Sequence, residues 1–168
     1  SDELRRQANR FANAITRLGL VRGDRLFVLA PRLPELYVAV LGAFKAGIVV
    51  CPLFSAFGPE PIATRMNLGS ARALVTTPAL YARKVAPVRT QIASLEQVLL
   101  IGDGEAPAGT HDLRTLMNEE SDDFDCTPTR ADEMALLHFT SGTTGRPKGA
   151  IHVHEAVVTH YATGLYAL

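Results

Sequence analysis

Residues 140–149 read Thr140-Ser141-Gly142-Thr143-Thr144-Gly145-Arg146-Pro147-Lys148-Gly149, a run of hydroxyls and glycines that contains one lysine. A short apolar run at 134–139 precedes it, and a second run at 150–153 follows it. The pattern predicts a strand, a loop and a second strand. Glycines let successive backbone N–H groups converge, the hydroxyls add hydrogen-bond donors, and Lys148 adds a positive charge. These properties suit a loop that binds a polyphosphate.

The loop differs from the Walker phosphate-binding loop, which requires Gly directly before its lysine and Ser or Thr directly after it. Pro147 and Gly149 hold those two places here. All ten positions instead match Thr/Ser-Ser-Gly-Thr/Ser-Thr-Gly-x-Pro-Lys-Gly, the phosphate-binding signature of the adenylate-forming enzymes. The chain therefore resembles the superfamily of acyl-CoA synthetases, firefly luciferase and peptide-synthetase adenylation domains. A surface hairpin without a ligand is the alternative explanation of the pattern.

The resemblance extends upstream over nearly the whole chain, through Gly23-Asp24-Arg25, Pro34-Glu35-Leu36, Lys45-Ala46-Gly47 and Pro52-Leu53. It implies that the loop wraps the β- and γ-phosphates of ATP while a carboxylate attacks the α-phosphate. The products are an acyl-adenylate and pyrophosphate.

The same resemblance implies roles for individual residues of the loop. Lys148 is the expected catalytic residue, because it stabilises charge on the departing pyrophosphate. Thr143 and Thr144 are the other main phosphate contacts. The full set of expected nucleotide-binding residues is Thr140, Ser141, Gly142, Thr143, Thr144, Gly145 and Lys148. We also expect a bound phosphate to give order to residues 141–148, since small polar residues and glycines are costly to fix without a partner.

Two further stretches, residues 51–57 and 137–140, are most similar to bacterial acetyl-CoA synthetases and their short-chain relatives. The resemblance thus implies a ligase that uses ATP, Mg²⁺ and coenzyme A to convert acetate or another short carboxylic acid to its thioester. Two alternatives remain: another adenylating enzyme, such as an aryl-CoA ligase or a peptide-synthetase domain, and a non-catalytic phosphate-binding fragment. The resemblance places the acid, adenine and ribose contacts beyond Leu168, so we expect the 168 residues alone to be inactive.

Composition excludes several other classes of protein. Lysine plus arginine equal aspartate plus glutamate at 17 each, so no overall field attracts nucleic acid or an anionic membrane. Only Cys51 and Cys126 are present, which argues against a disulfide framework and favours the cytoplasm. The sequence contains no spanning segment. Both ends look truncated, which makes residues 1–168 part of one domain.

The order of apolar segments predicts the fold class. Apolar runs typical of buried strands occur at 25–30, 48–53, 73–76 and 97–101, and helical periodicity occurs at 4–18, 34–44, 61–69 and 79–86, with one turn at 113–117. Strands that alternate with helices predict an α/β fold. Its architecture is a parallel sheet with helices on its faces, and the resemblance makes it part of the large N-terminal domain of an adenylate-forming enzyme.

Three weaker patterns give further expectations. The helix at 34–44 is apolar on most sides, which predicts burial against the sheet. Arginines before Arg32 and acidic residues from 103 to 133 are expected to be solvated. His138, His152, His154 and His160 could suggest a metal site, but capping and hydrogen-bonding roles at a strand-to-helix junction are favoured, so no metal ligand is predicted.

Overall fold

The computed structural model describes residues 1–103, 105–141 and 145–156, with only the backbone of Ser141. Its strands are β1 (Arg25–Leu29), β2 (Val49–Pro52), β3 (Ala71–Thr76), β4 (Gln97–Leu100), β5 (His111–Asp112), β6 (Met134–Ser141) and β7 (Pro147–Val153). Its helices are α1 (Asp2–Arg17), α2 (Pro34–Lys45), α3 (Pro59–Leu68), α4 (Pro78–Leu80) and α5 (Leu113–Asn118). In the described residues, none of the helices is long and apolar enough to cross a bilayer.

The described strands form one seven-stranded sheet in the order β5-β4-β3-β1-β2-β6-β7. Neighbouring strands are parallel except β6 and β7, which are antiparallel. The predicted α/β fold with a parallel sheet is thereby confirmed. Because parallel strands need crossover connections, helices cover both faces of the central strands β1 to β4, whose residues are mostly apolar and buried.

Alternation along the strands divides the core into two layers. On one face, Leu26 and Val28 of β1 pack with residues of α1, α2 and α5. On the other face, Phe27 and Leu29 pack with residues of α3 and the helical segment that follows α4. Successive side chains of a strand point to opposite faces, so one apolar run supplies both layers.

Helices α1 and α2 pack closely because α2 carries a glycine at the crossing. A Cβ atom on Gly42 would lie 2.6 Å from the carbonyl oxygen of Ala8 and 2.7 Å from Cδ1 of Phe11. The burial predicted for α2 is nevertheless only partly correct. Val38 and Ala39 are buried, whereas Tyr37 and Leu41 are 55% and 39% exposed. The described part of the chain thus covers only the stripe of α2 that faces α1 and the sheet.

Two predicted local features differ from the structure. The helix predicted at 79–86 is instead a short α4 followed by a π-helical turn, Tyr81–Val85, and a 3₁₀ helix, Ala86–Gln91. Strand β5 was not predicted, because a two-residue strand has no measurable periodicity. It pairs in parallel with the end of β4.

Most charged residues of the two runs are exposed, as expected, but several of them also bond the two runs to each other. Residues 119–133 are the acidic segment, and its first part, 119–123, is bonded to α1. Arg10 donates to the carbonyl oxygen of Glu120 at 2.7 Å, and Arg17 forms an ion pair with Glu119 at 2.9 Å. Arg22 pairs with the carboxylate of Glu133. Arg17 and Arg22 of the first run are thus ion-pair partners of acids in the second.

Candidate phosphate-binding hairpin

Strands β6 and β7 form the hairpin whose tip carries the signature sequence. Thr140 lies opposite Lys148, and Ser141 lies opposite Pro147. The hydroxyl of Thr140 donates to the carbonyl oxygen of Lys148 at 3.4 Å, a long contact. At the return from the tip, Gly145 has a φ of +77°, a conformation that favours glycine. The predicted order of strand, loop and strand is confirmed for the described residues, but the strands extend further into the signature than predicted, to Ser141 instead of residue 139 and from Pro147 instead of residue 150.

The hairpin tip lies at the carboxyl edge of the sheet. Strand β6 runs parallel to β2, with Leu136 opposite Val50, so both strands end on the same side of the molecule. In open α/β sheets, ligands bind outside the carboxyl ends of the strands. The end of β6 and the start of β7, between which the signature lies, are therefore at the edge of the sheet where this kind of fold binds its ligands.

Lys148 and Thr140 share one face of the hairpin, because residues directly opposite each other in a ladder point the same way. Both side chains are exposed, as is Arg146. Within the described residues, Lys148 has no ion-pair partner. A lysine without a carboxylate partner in this part of the chain keeps its charge available for an anion.

The structure brings together only some of the predicted site residues. Thr140 and Lys148 are adjacent, and the backbones of Ser141 and Gly145 flank the tip. Three predicted phosphate-binding residues, Gly142, Thr143 and Thr144, lie outside the described residues. The expected ordering of residues 141–148 by phosphate concerns mainly those positions and stays a prediction.

The described histidines near the hairpin have two different surroundings. The rings of His138 and His152 meet edge to face, with centroids 5.8 Å apart. Burial lowers the pKa of His138, and the neighbouring His152 lowers it further. His154 lies beyond the end of β7, where the centroid of its ring is 6.3 Å from that of the Phe44 ring. Burial lowers the pKa of His154 as well. In the described ranges, no group of three or more His, Cys, Asp or Glu side chains could hold a metal ion.

The strand-to-helix junction expected near the histidines is present, because residues 154–156, which follow β7, are helical. The pattern of 157–168 also predicts a helix, but His160 and these residues lie outside the described residues.

An aromatic contact beneath the tip was not predicted. Phe139 directly precedes Thr140, and its ring stacks on Phe27 of β1 with centroids 6.1 Å apart and planes inclined by 20°. Gly69, which ends α3, lies against both rings. The sequence shows only that an aromatic residue precedes the signature. It does not show that the ring of Phe139 contacts Phe27, which lies two strands away in the sheet.

A separate cleft of about 360 Å³ lies beside the residues that follow β4, toward the β5 edge of the sheet. It is lined by α1, α2, α5 and the residues after β4, including Gln7, Glu35, Val38 and Met117. None of the predicted site residues lines it. The described residues therefore do not join this cleft to the hairpin.

Comparison with known proteins shows the family to which the chain belongs. The family described as AMP-binding enzyme matches residues 2–167. Acetyl-coenzyme A synthetase of Bacillus subtilis (strain 168) is 40% identical over 99% of this chain and 29% of that relative. The chain thus spans less than a third of the relative.

Solved structures give the same result. An acyl-CoA synthetase from Brucella canis superimposes with a TM-score of 0.80 at 31% identity, covering 95% of this chain and 29% of that one. ATP-bound MatB from Rhodopseudomonas palustris superimposes with a TM-score of 0.81 at 28% identity, covering 96% and 31%. The chain belongs to the AMP-binding enzyme family, and its α/β fold matches the N-terminal domains of adenylate-forming enzymes.

Proposed function

We propose that the complete gene product is an AMP-forming acid–CoA ligase, and that the β6–β7 hairpin of this chain binds the polyphosphate of ATP. The observation that carries the proposal is Lys148, exposed and opposite Thr140 at the carboxyl edge of the sheet. The similarity to an acetyl-coenzyme A synthetase and to an ATP-bound structure supports it.

In this proposal the hairpin acts on the leaving group. When a carboxylate attacks the α-phosphate, negative charge accumulates on the departing pyrophosphate. The ammonium group of Lys148 and the hydroxyls and backbone N–H groups of the tip would stabilise that charge without a covalent step. Donors fixed before the reaction lower the barrier because they need no reorganisation as charge develops.

The described residues do not form a site for a resident metal. Mg²⁺ is expected with ATP, where it would neutralise phosphate charge, but no cluster of candidate ligands occurs in the described part of the chain. We therefore assign no step to a protein-bound metal. Coenzyme A is proposed as the acceptor of the acyl group.

Acetate or another short carboxylic acid is the proposed substrate. Its support is the 40% identity to an acetyl-coenzyme A synthetase and the stretches around Cys51 and His138 that first suggested this branch. The cytoplasm is the proposed compartment, because Cys51 and Cys126 are both free thiols.

The proposal is tested with the complete gene product in ATP–pyrophosphate exchange, with acetate, propionate, benzoate and an amino acid in separate reactions. Acetate or propionate should support the fastest exchange, and addition of coenzyme A should yield the corresponding thioester. Preference for benzoate would favour the aryl-CoA ligase alternative. Exchange with the amino acid and no thioester would favour a peptide-synthetase domain, and no exchange with any acid would refute the assignment.

A further inference from the structure

We propose that Phe139 is a positioning residue, held between Phe27 and Gly69, that fixes the phosphate-binding hairpin relative to the central sheet. The structural part of this proposal, that Phe139 fixes the position of the hairpin, depends only on the described contacts. Its consequence for catalysis rests on the proposed function.

The first step is how Phe139 reaches the centre of the sheet. Phe27 belongs to β1, and β2 lies between β1 and β6. The residue of β2 opposite Phe27 is Cys51, whose side chain is small and fully buried. Strands two positions apart are separated by about 9.5 Å. The centroids of Phe27 and Phe139 are nevertheless only 6.1 Å apart, so the rings lean toward each other across β2.

The second step is the close fit of this pair against α3. A Cβ atom on Gly69 would lie 2.6 Å from Cζ of Phe27 and 3.1 Å from Cζ of Phe139. Phe27 is 0% exposed, so its ring is enclosed by its neighbours. Well-packed cores do not accept an extra methyl group without displacement of a neighbour.

The third step links this contact to the site. Phe139 is bonded to Thr140 and lies opposite Gly149, which is bonded to Lys148. The contact therefore acts one residue away from both exposed polar side chains of the site. Because Thr140 and Lys148 form the ladder pair next to Phe139 and Gly149, a displacement of Phe139 would also move the backbone that carries both side chains. Misplacement of a catalytic group by about 1 Å can reduce a rate by about a hundredfold.

Helix α3 offers a matched pair of variants. Gly69 ends the helix with a φ of −90°, and Gly58 begins it with a φ of −75°, so both positions accept alanine without strain of the backbone. A Cβ on Gly58 would meet nothing within 4 Å. Gly69→Ala thus tests the aromatic contact, and Gly58→Ala controls for loss of a glycine at an end of the same helix.

The test is hydrogen exchange of the hairpin amides in the complete gene product, combined with ATP–pyrophosphate exchange. We expect Gly69→Ala to speed amide exchange at 139–140 and 148–149 by about tenfold or more, and Gly58→Ala to leave it within about twofold. The rate constant kcat for pyrophosphate exchange should fall by about tenfold or more in Gly69→Ala, while KM for the acid changes little.

If Gly69→Ala does not fold, Phe139→Leu replaces it, since leucine keeps an apolar side chain but removes the stacked ring. Amide exchange of the hairpin equal to wild type in the folded variant would overturn the positioning role, whatever the enzyme does. Faster amide exchange with unchanged kcat per folded molecule would overturn the link to catalysis. A wild-type protein without pyrophosphate exchange would refute the proposed function and leave the amide result to decide the structural part.

Discussion

At the scale of single residues, the two cysteines illustrate how burial decides reactivity. Cys51 is fully buried in β2, and desolvation raises the pKa of its thiol to about 12. Cys126 is exposed in the acidic segment. The thiolate is the reactive form, so a thiol that stays protonated and shielded is inert.

We therefore predict that, in the folded 168-residue chain at pH 8, a chromogenic disulfide reagent modifies only the thiol of Cys126. After denaturation it should modify both thiols. Cys126→Ser should abolish the native reaction. Cys51→Ala should leave it unchanged, although the cavity left in the core would destabilise the fold. Rapid modification of both thiols in the native protein would show that Cys51 is not packed as described.

His138 and His154 predict a dependence of stability on pH. Burial lowers the pKa of both in the folded state, so the unfolded chain binds more protons below the ordinary histidine pKa of about 6.5. Stability is then fully present above that value and is lost as the pH falls toward the pKa of the folded state. Urea denaturation should show a smaller loss between pH 7.5 and 5 in His138→Gln/His154→Gln than in wild type. An equal loss would contradict this account.

At the scale of elements, the acidic segment is held on α1 by neutral as well as charged groups. The amide of Asn9, 3% exposed, donates to the carbonyl oxygen of Asp122 at 2.9 Å and accepts from Lys45 at 2.8 Å. Asn13 donates to the carbonyl oxygens of Ser121 and Asp123, each at 2.9 Å. Together these bonds fix a segment that has no regular secondary structure of its own.

Asn9→Ala should accordingly reduce the free energy of unfolding by about 1–3 kcal/mol, because it leaves two half-buried partners, the Asp122 carbonyl and the Lys45 ammonium, without their hydrogen bonds to a buried side chain. Gln7→Ala, which removes an exposed bond to Glu3 on the same helix, should change it by no more than about 0.5 kcal/mol. Equal effects of the two substitutions would mean that the contact between Asn9 and the acidic segment does not contribute to stability.

Local patterns predicted these elements better than their partners. The spacing of Leu4, Phe11 and Ile15 was sufficient for α1, and the unbroken run at 26–29 for β1, because both signals lie within one element. The partner of Phe139 and the partners of the acidic segment depend on strand order and on residues about a hundred positions apart. Periodicity contains no information on such contacts.

The exposed stripe of α2 has the same explanation. An apolar helix predicts a covering layer, but it does not say which part of a protein supplies that layer.

The candidate site was more predictable, since ten ordered positions specified the hairpin tip. The end of β7 at Val153, which separates His152 on the strand from His154 beyond it, agrees with the apolar run predicted at 150–153.

At the scale of the whole molecule, the sheet places the hairpin tip at its carboxyl edge, where the charge of Lys148 is directed away from the core. The central claim is that this charge stabilises the departing pyrophosphate. Interactions made mainly in the transition state affect kcat, whereas interactions with bound substrate affect KM. The claim therefore predicts which kinetic constant changes.

The most direct measurement is acid-dependent ATP–pyrophosphate exchange by the Lys148→Ala variant of the complete gene product. Loss of one fixed donor to a developing anion should lower kcat by about 10²–10³-fold, with KM for the acid within about threefold of wild type. Arg130→Ala, which removes an exposed cation that pairs with Asp132, should leave both constants unchanged. Exchange by Lys148→Ala at the wild-type rate would contradict the account.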